Sequence, residues 1–417
     1  MPTLLMIDER FPNTGGTRTE KFVKFLPHFD WKPIILSIKP SRETPMFKEG
    51  LARCRSQRVN IHFTPKLPDF SVFRKIELAR YGNILNRLMF IPDVTVTWLP
   101  FAVSKALQII RREKPDAVYS TSPSESTHLV AICIKLFTGL PWIADFRDLW
   151  TLYELHYKAL TPYHHYLNRY LEGKIYREWS DAVIANTPEN KDIIVRQFGA
   201  APDRIVTIPN GFDPADAVHK NKVNKPKEYL TFGYMGGLEK PAICYQSFLE
   251  GFLKAYERCP KLKLRLWGEI SVDLQARFRQ DPIFRQTVEV EAYLPHHQAM
   301  QQVAEADVSV VLLKSGFDHV VPQKLYNYLA LNKPIFAVVP LHGRAAKIIE
   351  QTQTGLVVAP NSSQVIAKAL EDAYNRFQAG EFNHFEDKVD HEAVDVYRRD
   401  NLTAQLVERL NIIKRAL

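Results

Sequence analysis

The sequence predicts an α/β protein built from two doubly wound parallel sheets in tandem. The chain has 417 residues, more than one hydrophobic core usually supports, so two domains are expected. Short β-branched or aromatic runs alternate with longer segments of helical period, which is typical of parallel sheets with helices on both faces. A polar, aperiodic stretch divides this alternation near the middle of the chain.

The first half of the chain contains six apolar runs that predict strands. They cover residues 3–8, 33–38, 116–122, 141–146, 181–186 and 205–210. Helical segments separate the runs, so we expect parallel strands joined by helical crossovers. These runs define an N-terminal domain over residues 1–213.

The second half repeats this architecture after a predicted linker at 214–229, which carries two prolines and no periodicity. Its six runs cover residues 230–236, 262–268, 288–294, 307–313, 334–339 and 355–360. They define a C-terminal domain over residues 230–395. Because ligands of open α/β sheets bind outside the carboxyl ends of the strands, the residues just after each run are the candidates for function.

The net charge of +9 lies entirely in the first part of the chain. Residues 1–120 hold 20 Lys and Arg against 11 Asp and Glu, whereas residues 121–417 hold 35 of each. Within segment 69–92, basic residues interrupt apolar ones at helical spacing. The segment fits either a basic amphipathic surface for anionic lipid or phosphate, or a helix that packs on the core with a solvated basic side.

Other chemistries leave no mark on the sequence. The four cysteines are scattered without metal or disulfide spacing, which suits a reducing cytoplasm. No apolar stretch approaches the length of a spanning helix, and the first residues do not form a signal peptide. We expect no nucleic-acid partner, no metal and no cofactor.

In each predicted half, a turn with two adjacent glycines follows the first strand. Gly15 and Gly16 follow residues 3–8, and Gly236 and Gly237 follow the strand beginning at 230, with Lys240 shortly after. Adjacent glycines let backbone N–H groups approach a phosphate, although most such pairs are only tight turns. Neither turn matches the dinucleotide or P-loop fingerprints, which disfavours nicotinamide and ATP or GTP sites.

Two further segments carry charge where ligands are expected. Pro322 can start a helix with Lys324 in its first turn, where a lysine opposes the helix dipole unless an anion is bound nearby. Asp145, Arg147 and Asp148 follow the run at 141–146. Asp145 and Asp148 are candidate general bases, and Asp145 is equally well explained as a structural partner of Arg147 that closes the strand and helps cap the next helix.

Taken in order, several segments resemble the retaining GT-B glycosyltransferases of family four, especially the cell-surface polysaccharide branch. They are "GGTRTEKFVKFL", "IPDVTVTWLP", "DAVYSTSPSESTHL", "PWIADFRDLWT", "IPNGFD", "YMGGLEKP", "PQKLYNYLALNKPI" and "VYRRDNLTAQLVERL". The resemblance implies two Rossmann-like domains facing across a cleft. It also implies that the last helix, 396–417, crosses back to the N-terminal domain.

The resemblance also assigns roles to residues of this chain. The nucleotide-sugar would contact Gly236, Gly237, Lys240, Gly268, Tyr293, Leu294, Pro322, Lys324 and Asn327. The acceptor side would contain Gly15, Gly16, Arg18, Thr121 and Ser122, with Asp145, Arg147 and Asp148 as catalytic residues. Many members carry glutamates at the positions aligned with His319 and Asn327, so donor binding here would depend on the uncharged Asn327.

These observations predict a metal-independent glycosyltransferase of the hexosyltransferase type. The donor would be a nucleotide-sugar, with UDP favoured, and the acceptor lipid-linked or saccharide. The enzyme would act in cell-envelope polysaccharide synthesis, in the cytoplasm and peripherally on the anionic inner face of the plasma membrane. A nucleotide-sugar epimerase on the same fold and a non-catalytic GT-B partner subunit are the alternatives.

Overall fold

The computed structural model describes residues 1–12, 18–69, 85–152, 161–217, 228–291, 294 and 296–415. The chain divides into two compact units. Unit 1 contains Met1–Pro209 and Leu402–Leu417, and unit 2 contains Asn210–Asn401. The sequence places the end of the first domain at residue 213, four residues beyond the division at Pro209 and Asn210.

Unit 1 is built on a seven-stranded sheet in the order β3-β2-β1-β4-β5-β6-β7, with every pairing parallel. Its strands are β1 Thr3–Ile7, β2 Lys32–Ile38, β3 Asn60–Thr64, β4 Ala117–Thr121, β5 Trp142–Phe146, β6 Ala182–Ala185 and β7 Ile205–Thr207. The order reverses between β1 and β4, which is the switch point of a Rossmann-like sheet. Each of the six predicted runs overlaps one of these strands, so this part of the prediction is confirmed.

Helices connect these strands as parallel pairing requires. They are α1 Arg18–Phe25, α2 Pro45–Ser56, α3 Leu99–Glu113, α4 Ser126–Thr138, α5 Pro162–Lys174 and α6 Pro188–Phe198. Local chemistry sets several of their ends: Thr161 and Thr187 cap α5 and α6 just before a proline. Gly139 and Gly199 end α4 and α6 at positive φ, where a side chain would add strain.

The edge strand β3 has no counterpart among the predicted runs. Its sequence NIHFT contains polar and apolar residues, and four of its five side chains are only half-buried. The continuous apolar signal that marks β1 and β5, both buried along their whole length, is therefore missing. Pairing with β2 makes this segment a strand.

Unit 2 is built on a six-stranded parallel sheet in the order β10-β9-β8-β11-β12-β13. Its strands are β8 Leu230–Met235, β9 Leu262–Trp267, β10 Val288–Glu291, β11 Val308–Leu312, β12 Ile335–Val338 and β13 Gly355–Val358. All six predicted runs contain one of these strands. The switch point of this sheet lies between β8 and β11.

The helices of unit 2 pack on both faces of its sheet, with one core cluster on each face. They are α7 Tyr245–Tyr256, α8 Val272–Gln280, α9 Pro282–Thr287, α10 His296–Val303, α11 Gln323–Leu329, α12 Arg344–Thr352, α13 Ser363–Gln378 and α14 His391–Asp395. The two doubly wound, Rossmann-like domains expected from the sequence are therefore confirmed.

The last helix, α15 Arg399–Arg415, returns the chain to unit 1. Leu402, Leu406 and Leu410 are buried in the same core cluster as Leu4 and Met6 of β1. Polar contacts accompany this packing: Lys414 Nζ lies 2.6 Å from Asp116 Oδ1, and Arg409 donates to the Asp203 carbonyl. The expected crossing of the C-terminal helix is confirmed.

Several sequence predictions fall outside the described residues. These are the glycines Gly15 and Gly16, the predicted donor contact Tyr293, residues 70–84 of the basic segment and residues 218–227 of the linker. Among the described residues, no helix has both the length and the apolar character needed to cross a bilayer.

Candidate functional site

A glycine contact joins the ends of β8 and β9 in unit 2. Gly236 has φ +101° and its N–H donates to the Trp267 carbonyl at 2.7 Å. A Cβ on Gly268, which has φ +151°, would lie 2.7 Å from the carbonyl carbon and oxygen of Gly236. Only glycine fits such an approach of two backbones. The turn after β8 is therefore held next to β9 by residues that have no side chain.

Lys324 brings a cation to this glycine turn. It is the second residue of α11, and a Cβ on Gly236 would lie 3.6 Å from its Nζ. The ammonium also lies 3.5 Å from the centroid of the Tyr234 ring, a cation–π contact. The Tyr234 hydroxyl donates to the Gly237 carbonyl at 3.2 Å. Tyr234 thus holds both the lysine and the turn in place.

Sequence reasoning missed Tyr234. The residue is buried inside the apolar run of β8, where an aromatic side chain is ordinarily part of the core. Its position near the carboxyl end of β8, two residues before the glycine pair, was a signal, because residues at such a strand end lie beside the turn. The contact itself depends on α11, which is distant in sequence.

The electrostatics of this turn favour a bound anion. Burial and the positive charge of Lys240 lower the pKa of the half-buried Lys324 well below its ordinary value. The nearby carboxylate of Glu239 accepts hydrogen bonds from the Ser271 N–H at 2.6 Å and hydroxyl at 2.7 Å. Within the described residues, neither Lys240 nor Lys324 has a carboxylate partner. An anion would relieve the repulsion between these two cations.

The structure brings other predicted donor residues to the same end of the sheet. Pro322 is the N-cap of α11 with extended backbone, one position earlier than the first helical turn. Asn327 is buried, and its Oδ1 lies 3.4 Å from Gln323 Nε2. Leu294 is partly buried against the core cluster that contains Met235 and Trp267. The donor-side assignment of these residues stays a prediction.

In unit 1, Asp145 forms a buried ion pair with Arg18. Arg18 Nε lies 2.6 Å from Asp145 Oδ2, and both side chains are at most 1% exposed. The Tyr119 hydroxyl also donates to Asp145, and the Arg18 guanidinium donates to the carbonyls of Ile208 and Pro209. Burial of this network disagrees with the predicted catalytic role of Asp145 and the acceptor-side role of Arg18. The geometry favours a structural role for Asp145, but its ion-pair partner is Arg18 and not the expected Arg147.

The remaining predicted residues of this region lie around the carboxyl ends of β4 and β5. Thr121 and Ser122 are buried, and Ser122 uses its N–H and Oγ to bind the Asp145 carbonyl and the Arg147 N–H. The half-buried Arg147 has a buried Nε without a hydrogen-bond partner in the structure. Asp148 is half-buried and has contacts of its own. Of the two acids, Asp148 is the more accessible.

Glu172, which the sequence did not single out, holds the segment after Asp148. Its carboxylate accepts hydrogen bonds from the N–H groups of Trp150 and Thr151 and from the Tyr176 hydroxyl at 2.8 Å. Burial raises the pKa of Glu172. The residue lies within α5 at an ordinary polar position, so only its tertiary contacts reveal the role.

A second acid group surrounds the turn after β4. Asp93 accepts from the hydroxyls of Ser124 and Ser126 at 2.7 to 2.9 Å. Beside it, burial and then the charge of Asp93 raise the pKa of the half-buried Glu125 to about 8. These acids order the β4–α4 turn, and Glu125 can exchange a proton near neutral pH.

The described residues contain no group of three or more His, Cys, Asp or Glu side chains that could hold a metal ion. What unit 2 offers is a pair of cations beside a glycine turn at the switch point. This arrangement can hold a diphosphate by charge and by backbone N–H groups. Unit 1 offers acids at strand ends, which can accept a proton.

Two Rossmann-like α/β units in tandem are the architecture of the GT-B glycosyltransferases, and comparisons with known proteins agree. Residues 49–216 match the model of the family described as Glycosyltransferase Family 4. No curated protein sequence matches the chain. The sequence family is therefore matched over part of unit 1 and the first residues of unit 2.

Solved structures match the whole chain in fold. HepE of Anabaena, solved with UDP and glucose, is 14% identical with a TM-score of 0.65, over 99% of this chain and all of that one. A glycosyltransferase of Rickettsia africae is 13% identical with a TM-score of 0.69, over 99% and 98%. A putative UDP-N-acetylglucosamine 2-epimerase of Listeria monocytogenes is 11% identical with a TM-score of 0.58, over 97% and 94%. At these identities the likeness shows the GT-B fold.

Proposed function

We propose that the protein is a glycosyltransferase that moves a sugar from a nucleotide-sugar to a lipid-linked or saccharide acceptor. The observation that carries the proposal is the pair of lysines beside the Gly236–Gly268 contact, with Lys324 supported by Tyr234. The similarity of the fold to HepE, solved with UDP and glucose, supports UDP as the nucleotide.

The chemistry follows from what a leaving diphosphate requires. The bond between the anomeric carbon and the diphosphate oxygen breaks, and negative charge develops on that oxygen. Lys324 and Lys240 would neutralise it without a metal. The acceptor oxygen bonds to the anomeric carbon and gives its proton to Asp148 or to the departing phosphate oxygen. Retention of the anomeric configuration and a hexosyl donor are part of the proposal.

The proposed place of action is the cytoplasmic face of the plasma membrane, in cell-envelope polysaccharide synthesis. All nine net positive charges lie within residues 1–120, which would attract anionic lipid. Such attachment weakens with salt because charge is screened over about 8 Å at physiological ionic strength. Sedimentation with anionic and neutral vesicles at low and high salt tests this part. Equal recovery with both vesicle types would exclude charge-driven attachment.

A thermal-shift series with UDP-, GDP- and dTDP-sugars tests the donor site. A ligand at 100 times its dissociation constant adds about 2.7 kcal/mol to stability, so the preferred donor should raise the melting temperature clearly. The expected result is a shift with a UDP-sugar that Lys324→Met reduces at the same ligand concentration. A shift that this substitution leaves undiminished would place the nucleotide elsewhere.

A nucleotide-sugar epimerase is the second candidate function, because the Listeria structure with a similar fold is described as one. Incubation with the UDP-sugar alone separates the two. A transferase keeps the sugar configuration and releases UDP only when an acceptor is added, whereas an epimerase produces the epimer without an acceptor. Binding with neither reaction would indicate a non-catalytic partner subunit.

A further inference from the structure

Unit 1 contains a cavity that neither the sequence motifs nor the proposed donor site account for. Its volume is about 960 Å³, and it lies beyond the carboxyl ends of β1, β2 and β3. The described walls come from residues 9–11 after β1, from the loop between β2 and α2, and from residues 65–69 after β3. This is the edge of an open α/β sheet at which ligands bind.

The charge of the walls favours an anion. Four basic residues and two acids line the cavity: Arg10, Lys39, Arg42, Lys66, Glu9 and Asp69. Both acids are already paired, Glu9 with Arg10 at 3.0 Å and Asp69 with Lys66 at 2.8 Å. Lys39 and Arg42 are exposed and have no carboxylate partner within the described part of the chain. Two cations are thus left for a ligand.

Glu9 opposes these cations only weakly. Its Oε2 accepts a hydrogen bond from the Thr95 hydroxyl at 2.5 Å, and its Oε1 accepts one from Arg10 Nε at 3.0 Å. Burial raises the pKa of Glu9 and so favours its uncharged form. Among the described residues of the cavity, Lys39 and Arg42 therefore remain the exposed cations without a carboxylate partner.

The floor of the cavity is apolar. Phe11 and Phe47 are buried there, and Phe47 packs against Phe63 with ring centroids 5.8 Å apart. Leu67 also lines the cavity and is 48% exposed, so it adds accessible apolar surface to the wall. A ligand that fits both features carries an anionic group beside an apolar portion.

We propose that this cavity binds the phosphate or diphosphate group of the acceptor, with Lys39 and Arg42 as its specificity-determining residues. The inference rests on the proposed function in that it takes the bound anion to be the acceptor. The planar guanidinium of Arg42 can bind two phosphate oxygens at once, and Lys39 adds a point charge. The apolar floor then contacts the hydrocarbon next to the phosphate.

Calorimetric titration with geranyl diphosphate tests the site, and inorganic pyrophosphate separates a lipid-type ligand from a free phosphate. We expect geranyl diphosphate to bind more tightly than pyrophosphate, because only the former covers the apolar floor. In Lys39→Ala/Arg42→Ala its affinity should fall about 100-fold, or about 10-fold for each charge-assisted contact. Arg111→Ala/Arg112→Ala is the matched control, because it removes the same amount of charge and both arginines are exposed at the end of α3.

The same titrations distinguish this inference from the proposed function. UDP affinity should be unchanged in Lys39→Ala/Arg42→Ala and reduced in Lys324→Met. Geranyl diphosphate affinity should be reduced in Lys39→Ala/Arg42→Ala and unchanged in Lys324→Met. Unchanged geranyl diphosphate affinity in Lys39→Ala/Arg42→Ala overturns the cavity site. Loss of its affinity in Lys324→Met places the diphosphate in unit 2 and also overturns it. Absence of UDP binding, with the cavity results as expected, contradicts the donor proposal alone.

Discussion

Replacement of Lys324 by methionine should separate nucleotide binding from stability. Methionine keeps most of the length of the side chain and removes the ammonium that lies 3.5 Å from the Tyr234 ring. If the ammonium binds the diphosphate, one charge-assisted contact worth about 1.5 to 3 kcal/mol is lost. This corresponds to a roughly 10- to 150-fold increase in the dissociation constant for UDP.

Stability should change little in the same variant. The protein loses a cation–π contact of about 0.5 to 2 kcal/mol, but it no longer holds a half-buried ammonium repelled by Lys240. These effects oppose each other, so we expect the free energy of unfolding to stay within about 1 kcal/mol of the parent. Urea unfolding measures this, and calorimetric titration with UDP measures the affinity.

Lys263→Met is the matched control for this experiment. Lys263 also lies over a tyrosine, with Nζ 5.1 Å from the Tyr229 ring centroid. It is the second residue of β9 and so lies at the amino end of the strand, whereas the glycine turn follows the carboxyl end of β8. It should leave UDP affinity unchanged. The reasoning is refuted if Lys324→Met keeps the parent affinity, or if it loses stability by several kcal/mol while Lys263→Met does not.

The lowered pKa of Lys324 also predicts a pH dependence. Between its folded pKa and the ordinary lysine value the unfolded chain binds more protons, so stability rises with pH through that window. A bound diphosphate favours the charged lysine, so UDP binding should take up a proton at alkaline pH. Calorimetry in buffers of different ionisation enthalpy should detect this uptake in the parent protein and not in Lys324→Met. Equal uptake in both would assign the proton to another group.

Three further substitutions test the two units. Gly268→Ala forces a Cβ against the backbone of Gly236, so it should abolish UDP binding and lower the melting temperature. Gly316 also has positive φ but has open space around it, so Gly316→Ala should cost only about 1 kcal/mol of stability. Equal effects of the two substitutions in thermal-shift assays would contradict the Gly236–Gly268 contact. Asp145→Asn should destabilise the protein by about 3 to 5 kcal/mol in urea unfolding, since it leaves Arg18 buried and unpaired; a fully stable variant would return Asp145 to the catalytic candidates. Asp148→Asn should fold normally and lose sugar transfer more than UDP-sugar binding, and unchanged turnover would exclude it as the base.

Much of the fold was predictable because a buried strand requires a run of apolar residues in the local sequence. Strands covered by helices on both faces must be apolar along their length, and β1, β4, β5, β6, β11 and β12 are buried at every position. Each of the twelve predicted runs overlaps a strand. The edge strand β3 escaped because its side chains are half-buried and need no apolar run. Its position as a strand depends on β2, a partner that local sequence does not reveal.

The candidate site also has a part that the local sequence predicts and a part that it does not. Glycine pairs and a lysine in a first helical turn were visible as local departures from ordinary strand and helix composition. The pairing of Arg18 with Asp145, 127 residues apart, and the placement of Lys324 over Tyr234 were not. Strand and helix patterns depend on neighbours within a few residues, whereas these contacts depend on which strand ends the parallel topology brings together. The sequence by itself determined where charge and glycine follow strands, and the tertiary structure decided which of those charges are paired in the core and which remain for a ligand.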